Sequence, residues 1–142
     1  MKDKKITLQL AKALSEGIRI HAEELGMKVV VAVCNSQGRI ITVDVMDDAF
    51  LVSYNVATKK AYTAVAVKMS TSALGEATKE GGALEGFHSD ELIFFGGGEP
   101  LKIDGEIVGG LGVSGGTVDE DERLGKFGVK LFEALIREFN NI

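Results

Sequence analysis

Two short turn signals decide how the strands of this chain can pair. Asn35-Ser36-Gln37-Gly38 stands between the runs Val29–Cys34 and Arg39–Val45, and Asp104-Gly105 stands between Leu101–Ile103 and Glu106–Val113. The flanking runs are rich in Val and Ile, which suit a pleated, half-buried surface. Asp-Gly favours a two-residue hairpin of type I′, because both central residues must take positive φ. Hairpins make neighbours antiparallel, whereas parallel pairing needs a long crossover. Leu92–Phe95 is a further apolar run and is expected to be another strand.

Helical periodicity fills the intervals. Leu10, Ala11, Leu14, Ile18, Ala22 and Leu25 form one stripe in a helix over 7–25, which Gly26 stops. A second helix is expected over 53–69 with Ser53 as its cap, carrying Val56, Tyr62, Ala64 and Val67 beside Lys59 and Lys60. Ser72 is expected to cap a short helix through Thr78, and Gly81, Gly82 and Gly86 break any continuation. Thr117 and Glu120 make a capping box for a last helix that buries Leu124, Phe127, Leu131, Leu135 and Phe139. The order α-β-β-α-(α)-β-β-β-α predicts an α+β fold, a five-stranded antiparallel sheet flanked by helices. No repeat or linker interrupts it, so residues 1–142 are read as one domain.

Composition narrows the function classes. Sixteen basic against 21 acidic residues give a formal net charge of −5, which argues against a nucleic-acid surface. No stretch approaches the roughly 20 apolar residues of a membrane span. The N-terminus lacks the apolar run of a signal peptide. With one cysteine, Cys34, there is no internal disulfide framework, and a cytoplasmic location is expected. Cys34 itself reads as a small buried residue.

Several motifs touch chemistry. Gly110-x-Gly112-x-x-Gly115 matches the dinucleotide fingerprint, but the helix after it ends the chain and no βαβ unit can follow. Gly112-x-Ser114-x-Gly116 matches a nucleophile elbow, yet both histidines, His21 and His88, precede the serine. What survives is a set of backbone donors at Ser114, Gly115, Gly116 and Thr117 before a helix, able to hold an anion or simply to make a tight turn. Asp44, Asp47 and Asp48 form an acidic cluster, either a cation site or carboxylates satisfying a bend. His21 lies beside the apolar stripe of the first helix, where an imidazole can serve as a ligand or as a core histidine. His88 sits in a polar stretch and is expected to be exposed. Lys60 could face inward and pair with the aspartates or with a ligand carboxylate.

The pattern as a whole resembles a family. Val29-Val-Val-Ala-Val-Cys34 with Gly38, Met46-Asp47-Asp48-Ala49, Lys60-Ala61-Tyr62-Thr63-Ala64, Phe95-Gly96-Gly97-Gly98-x-Pro100, Gly105-Glu-Ile-Val-Gly109 and Gly112-Val-Ser-Gly-Gly116 are similar to the GlcG/HbpS family, which includes the C-terminal domain of PduO proteins. The resemblance implies a homo-oligomer and haem as cofactor, with His21 as the axial iron ligand and a lysine such as Lys60 near the propionates. Phe95, Gly96, Gly97 and Gly98 join Ser114–Thr117 as further expected ligand contacts. Nothing resembles the separate adenosyltransferase domain, so that activity is not implied. Two other readings stand beside haem. One is a site for a small organic acid or aldehyde held by the glycine-loop amides, with Asp47 or Lys60 acting on it. The other is a structural partner of a metabolic complex, docking through Phe94, Phe95 and Tyr62.

Overall fold

The computed structural model describes residues 4–140. Helix α1 spans Leu8–Glu24, and strands β1 (Val30–Asn35) and β2 (Ile40–Val45) follow as a hairpin. Helices α2 (Ser53–Val67) and α3 (Thr71–Thr78) come next. Then β3 (Gly98–Ile103) and β4 (Glu106–Ser114) form the second hairpin, and α4 (Val118–Asn140) closes the order. All pairings are antiparallel, in the spatial order β2-β1-β4-β3.

The sheet therefore has four strands, where the sequence predicts five. Leu92–Phe95 makes no ladder. The Ile93 N–H instead donates to Thr63 Oγ1 on α2, at 3.1 Å. A short apolar run looks alike whether it pairs with a strand or lies on a helix, so periodicity could not separate the two. The expected caps also shift. Ser53 begins α2 without capping it, and α3 is capped by Ser70, whose Oγ accepts from Ala73 N at 3.1 Å, rather than by Ser72. The Asp104-Gly105 turn takes the positive φ values its type requires, 52° and 80°.

Both faces of the sheet are covered. Val29, Val31 and Val33 face α1 and α4, where Leu10, Leu14, Ile18, Leu124 and Phe132 complete a large core. Val30, Ala32 and Cys34 point the other way, onto Ala57 and Ala61 of α2. The alternation of one strand thus feeds two cores, as period-two geometry demands. Helix α2 sits unusually close to β4. A Cβ on Gly110 or Gly112 would collide with the backbone oxygens of Ala61 and Ala57. Gly110 and Gly112, two of the three glycines that imitate a dinucleotide fingerprint, are a seat for a helix.

Candidate functional site

His21 projects from the last turn of α1. Its neighbours at 14, 18 and 22 are buried, which leaves the imidazole at the border of the core, 35% exposed. The ring stacks on Phe127 of α4 with centroids 4.0 Å apart and planes 19° apart. Nδ1 lies 3.4 Å from Glu24 Oε1. Among the described residues no hydrogen bond reaches Nε2. A cleft of about 350 Å³ opens here, lined by His21, Leu25, Met27, Glu120, Arg123 and Leu124. It brings the end of α1 against the first turns of α4. Leu25, Met27 and Leu124 make it apolar, while Arg123 supplies an exposed cation at its border.

The remaining expected contacts gather elsewhere, around Lys60. This lysine is fully buried. Its ammonium donates to Val113 O at 2.7 Å and to Asp121 Oδ2 at 3.2 Å, and lies 5.2 Å from the centre of the Phe95 ring. Burial lowers its pKa, and the Asp121 carboxylate pulls the other way. Gly97, at φ 122°, passes so close that a Cβ would lie 2.5 Å from Nζ. Lys60 thus faces inward as expected, but its partner is Asp121. Asp44 accepts instead from Ser15 Oγ on α1, at 2.6 Å.

The anion cradle is filled from within. Gly116 N donates to Asp121 Oδ1 at 2.8 Å and Gly115 N to Asp121 Oδ2 at 3.3 Å. Thr117 N donates to Glu120 Oε1 at 2.9 Å, and Thr117 Oγ1 accepts from Glu120 N at 3.2 Å, completing the capping box. Ser114 is buried at the end of β4. Gly98 N donates to Thr71 Oγ1 at 2.9 Å, and Gly97 O accepts from Val113 N at 2.9 Å. Gly96 packs against the Glu122 side chain. Phe95 is exposed on one side. The amides of Gly98, Gly115, Gly116 and Thr117 already have acceptors within the fold, so a small acid at Gly115–Thr117 would have to displace the carboxylates of Asp121 and Glu120.

Asp44 parts from the other two aspartates. Asp47 and Asp48 are exposed on a different cleft of about 420 Å³, beside Arg19, Glu23 and Lys28, while Asp44 turns to Ser15. Among the described residues no group of three or more His, Cys, Asp or Glu side chains could hold a metal ion. His88 is exposed as expected, 2.9 Å from Asp90 Oδ1 and stacked on Phe94. Lys59 Nζ reaches Asp90 O at 3.3 Å and ties that loop to α2. Cys34 is buried, and burial pushes its thiol up to about 11. No helix among the described residues is long and apolar enough to cross a membrane.

The family described as haem-degrading protein HbpS-like matches residues 6–130. The chain belongs to this family. A 15.0 kDa protein from the dhaT-dhaS intergenic region of Citrobacter freundii is 34% identical over 133 residues, covering 92% of this chain and 94% of that protein. The corrinoid adenosyltransferase PduO of Salmonella typhimurium is 41% identical over 116 residues. That match takes in 80% of this chain but 33% of PduO, so the HbpS-like region corresponds to about a third of the larger protein. A crystal structure of a PduOC:heme complex superposes with a TM-score of 0.83 at 34% identity, covering 89% of this chain and 94% of that one. The crystal structure of HbpS gives 0.81 at 30% identity, covering 92% of each chain. The four-stranded architecture is therefore that of the HbpS-like proteins.

Arg123 and the stacking role of Phe127 escaped the sequence reading. Phe127 was legible only as a core residue of the last helix. Arg123 looks like any exposed arginine until α1 is packed beside it.

Proposed function

We propose that the protein binds haem at the α1–α4 cleft, with His21 Nε2 as axial ligand to the iron and Arg123 as the partner of a propionate. One arrangement carries this reading: an imidazole stacked on Phe127, with Nδ1 near Glu24 and Nε2 open, on an apolar wall with a guanidinium at its edge. A carboxylate at the second ring nitrogen is the usual way to orient a ligating histidine and raise its basicity. Leu25, Met27 and Leu124 suit a flat apolar macrocycle, and Arg–carboxylate pairing suits its acidic edge. Likeness to the protein crystallised as a haem complex supports the same cofactor. Bound haem would supply a redox-active iron, while the chain's own residues would ligate, orient and partly shield it.

A cleft of about 350 Å³ is too small to enclose a macrocycle of this size. We therefore place the other face of the haem against a second copy of the chain, which makes the protein a homo-oligomer when loaded. Lys60 takes no part, because it is sealed in the core.

The test is a haemin titration of wild type, His21→Ala and Arg123→Ala, followed in the visible spectrum. Wild type is expected to give a saturable Soret band. His21→Ala should shift or abolish it, and Arg123→Ala should keep its position while weakening affinity by about tenfold, the loss of one charge-assisted pair. A band unchanged in His21→Ala would remove His21 as ligand. No saturable band in wild type would end the haem reading.

A further inference from the structure

A third cleft, of about 420 Å³, lies between β3 and α4 and shares no residue with the His21 site or with the cleft at Asp47 and Asp48. Glu99, Pro100, Lys102, Val129, Phe132 and Glu133 line it. Glu99 stands out, because the residue is only 8% exposed. Its Oε2 is sealed from solvent without a hydrogen-bond partner. Among the described residues no hydrogen bond of the fold uses this side chain at all. Helix α4 passes Glu99 at Gly125, where a Cβ would stand in van der Waals contact with Glu99 Cγ, 3.4 Å away. An unpartnered buried carboxyl is costly and calls for a partner that the fold itself does not supply.

The surroundings define what is missing. Burial raises the carboxyl pKa first of all. Lys126 on α4 opposes that shift and Glu122 adds to it. Lys126 pairs with Glu122 at 3.5 Å and acts on Glu99 through its charge, with no hydrogen bond between them among the described residues. Within the lining, Glu99 and Glu133 outnumber Lys102. The floor of Pro100, Val129 and Phe132 is apolar. Lys102, the one cation in the lining, makes no hydrogen bond to Glu99 among the described residues, so the carboxyl stays without a donor while the cleft offers a bed for a short hydrocarbon.

The geometry points to a binding site for a small organic ammonium, with Glu99 accepting its N–H donors and Val129 and Phe132 holding its apolar body. With two carboxylates in the lining, the cleft falls short of the ligand set a divalent cation wants. An ammonium with three donors fits a single carboxylate better.

The probe is n-butylammonium, with n-butanol as the uncharged control, titrated calorimetrically into the full chain. Wild type is expected to bind one n-butylammonium saturably, and Glu99→Gln to lose at least tenfold in affinity. Butanol should not saturate. A carboxyl ¹³C titration of wild type gives an independent readout: saturating n-butylammonium should lower the apparent pKa of Glu99, because a cation favours the ionised form. Equal affinity in Glu99→Gln, saturable binding of butanol, or a Glu99 titration indifferent to n-butylammonium would each overturn the assignment. These results do not depend on haem, so the two proposals stand or fall separately.

Discussion

Lys60 shows how one residue can be legible in chemistry and hidden in role. An inward-facing Lys60 was expected to pair with Asp44, Asp47 or Asp48 or with a ligand carboxylate, and it does form an ion pair, but with Asp121, 61 residues away. Replacing Lys60 by Ala leaves the Asp121 carboxylate buried without its counter-charge. Removing one partner of a buried pair costs about 3–5 kcal/mol, so urea unfolding of Lys60→Ala should show a loss of that order. Lys60→Met combined with Asp121→Asn should recover part of it, because neither residue then needs a counter-charge. Cys34 governs the alkaline limb. Its pKa is raised from 9.0 to about 11 by burial, so the unfolded chain loses the thiol proton first. Stability from this group is complete below pH 9 and declines as pH rises towards 11. Cys34→Ala should flatten that decline in denaturation curves measured from pH 8 to 11. Lys60 has the opposite sign, since its pKa is lowered. Its burden on the fold is greatest while it is charged and eases as pH climbs to 10.5, so the alanine variant isolates the thiol.

At the scale of elements, the hairpins and the long helices were readable, while contacts between elements were not. Thr7, expected to open the first helix, instead caps α1, and Thr117 and Glu120 cap α4 reciprocally as expected. The period of α2 misled. Its buried face is Ser53, Ala57, Lys60, Ala61, Thr63 and Ala64, with Tyr62 exposed, because small side chains let the helix lie directly on the glycines of β4. Hydrophobicity alone cannot find a face chosen for size. Gly112→Ala tests this seat. The added methyl would strike Ala57 O, a backbone atom that cannot turn aside. Overpacking typically costs about 1–3 kcal/mol, and thermal unfolding should place this variant at the upper end. Gly105→Ala, where a Cβ meets nothing within 4 Å but φ is 80°, should cost only the backbone strain, about 1 kcal/mol.

For the whole molecule, the proposed haem site makes stability depend on cofactor. A ligand that binds only the folded state stabilises it by about 2.7 kcal/mol when present at a hundredfold over its dissociation constant. Haemin at that excess should raise the Tm of wild type and leave His21→Ala unmoved, as read by scanning calorimetry. Equal shifts in both proteins would mean that haemin binds away from the α1–α4 cleft. The cleft itself could not be foreseen. His21 was a candidate from its place on the first helix, yet Phe127 and Arg123 sit more than a hundred residues away, and only the packing of α1 on α4 brings them to it.

Local chemistry written into the sequence determined the two hairpins, the Asp104-Gly105 turn and the capped start of α4, because each depends on residues within a few positions of one another. The tertiary structure decided which amides stay free, which lysine is sealed, and which histidine meets an aromatic face. Those outcomes depend on how two distant surfaces pack. A glycine run reads the same along the chain whether it cradles an anion or seats a helix, and only the neighbour that fills the space above it tells the two apart.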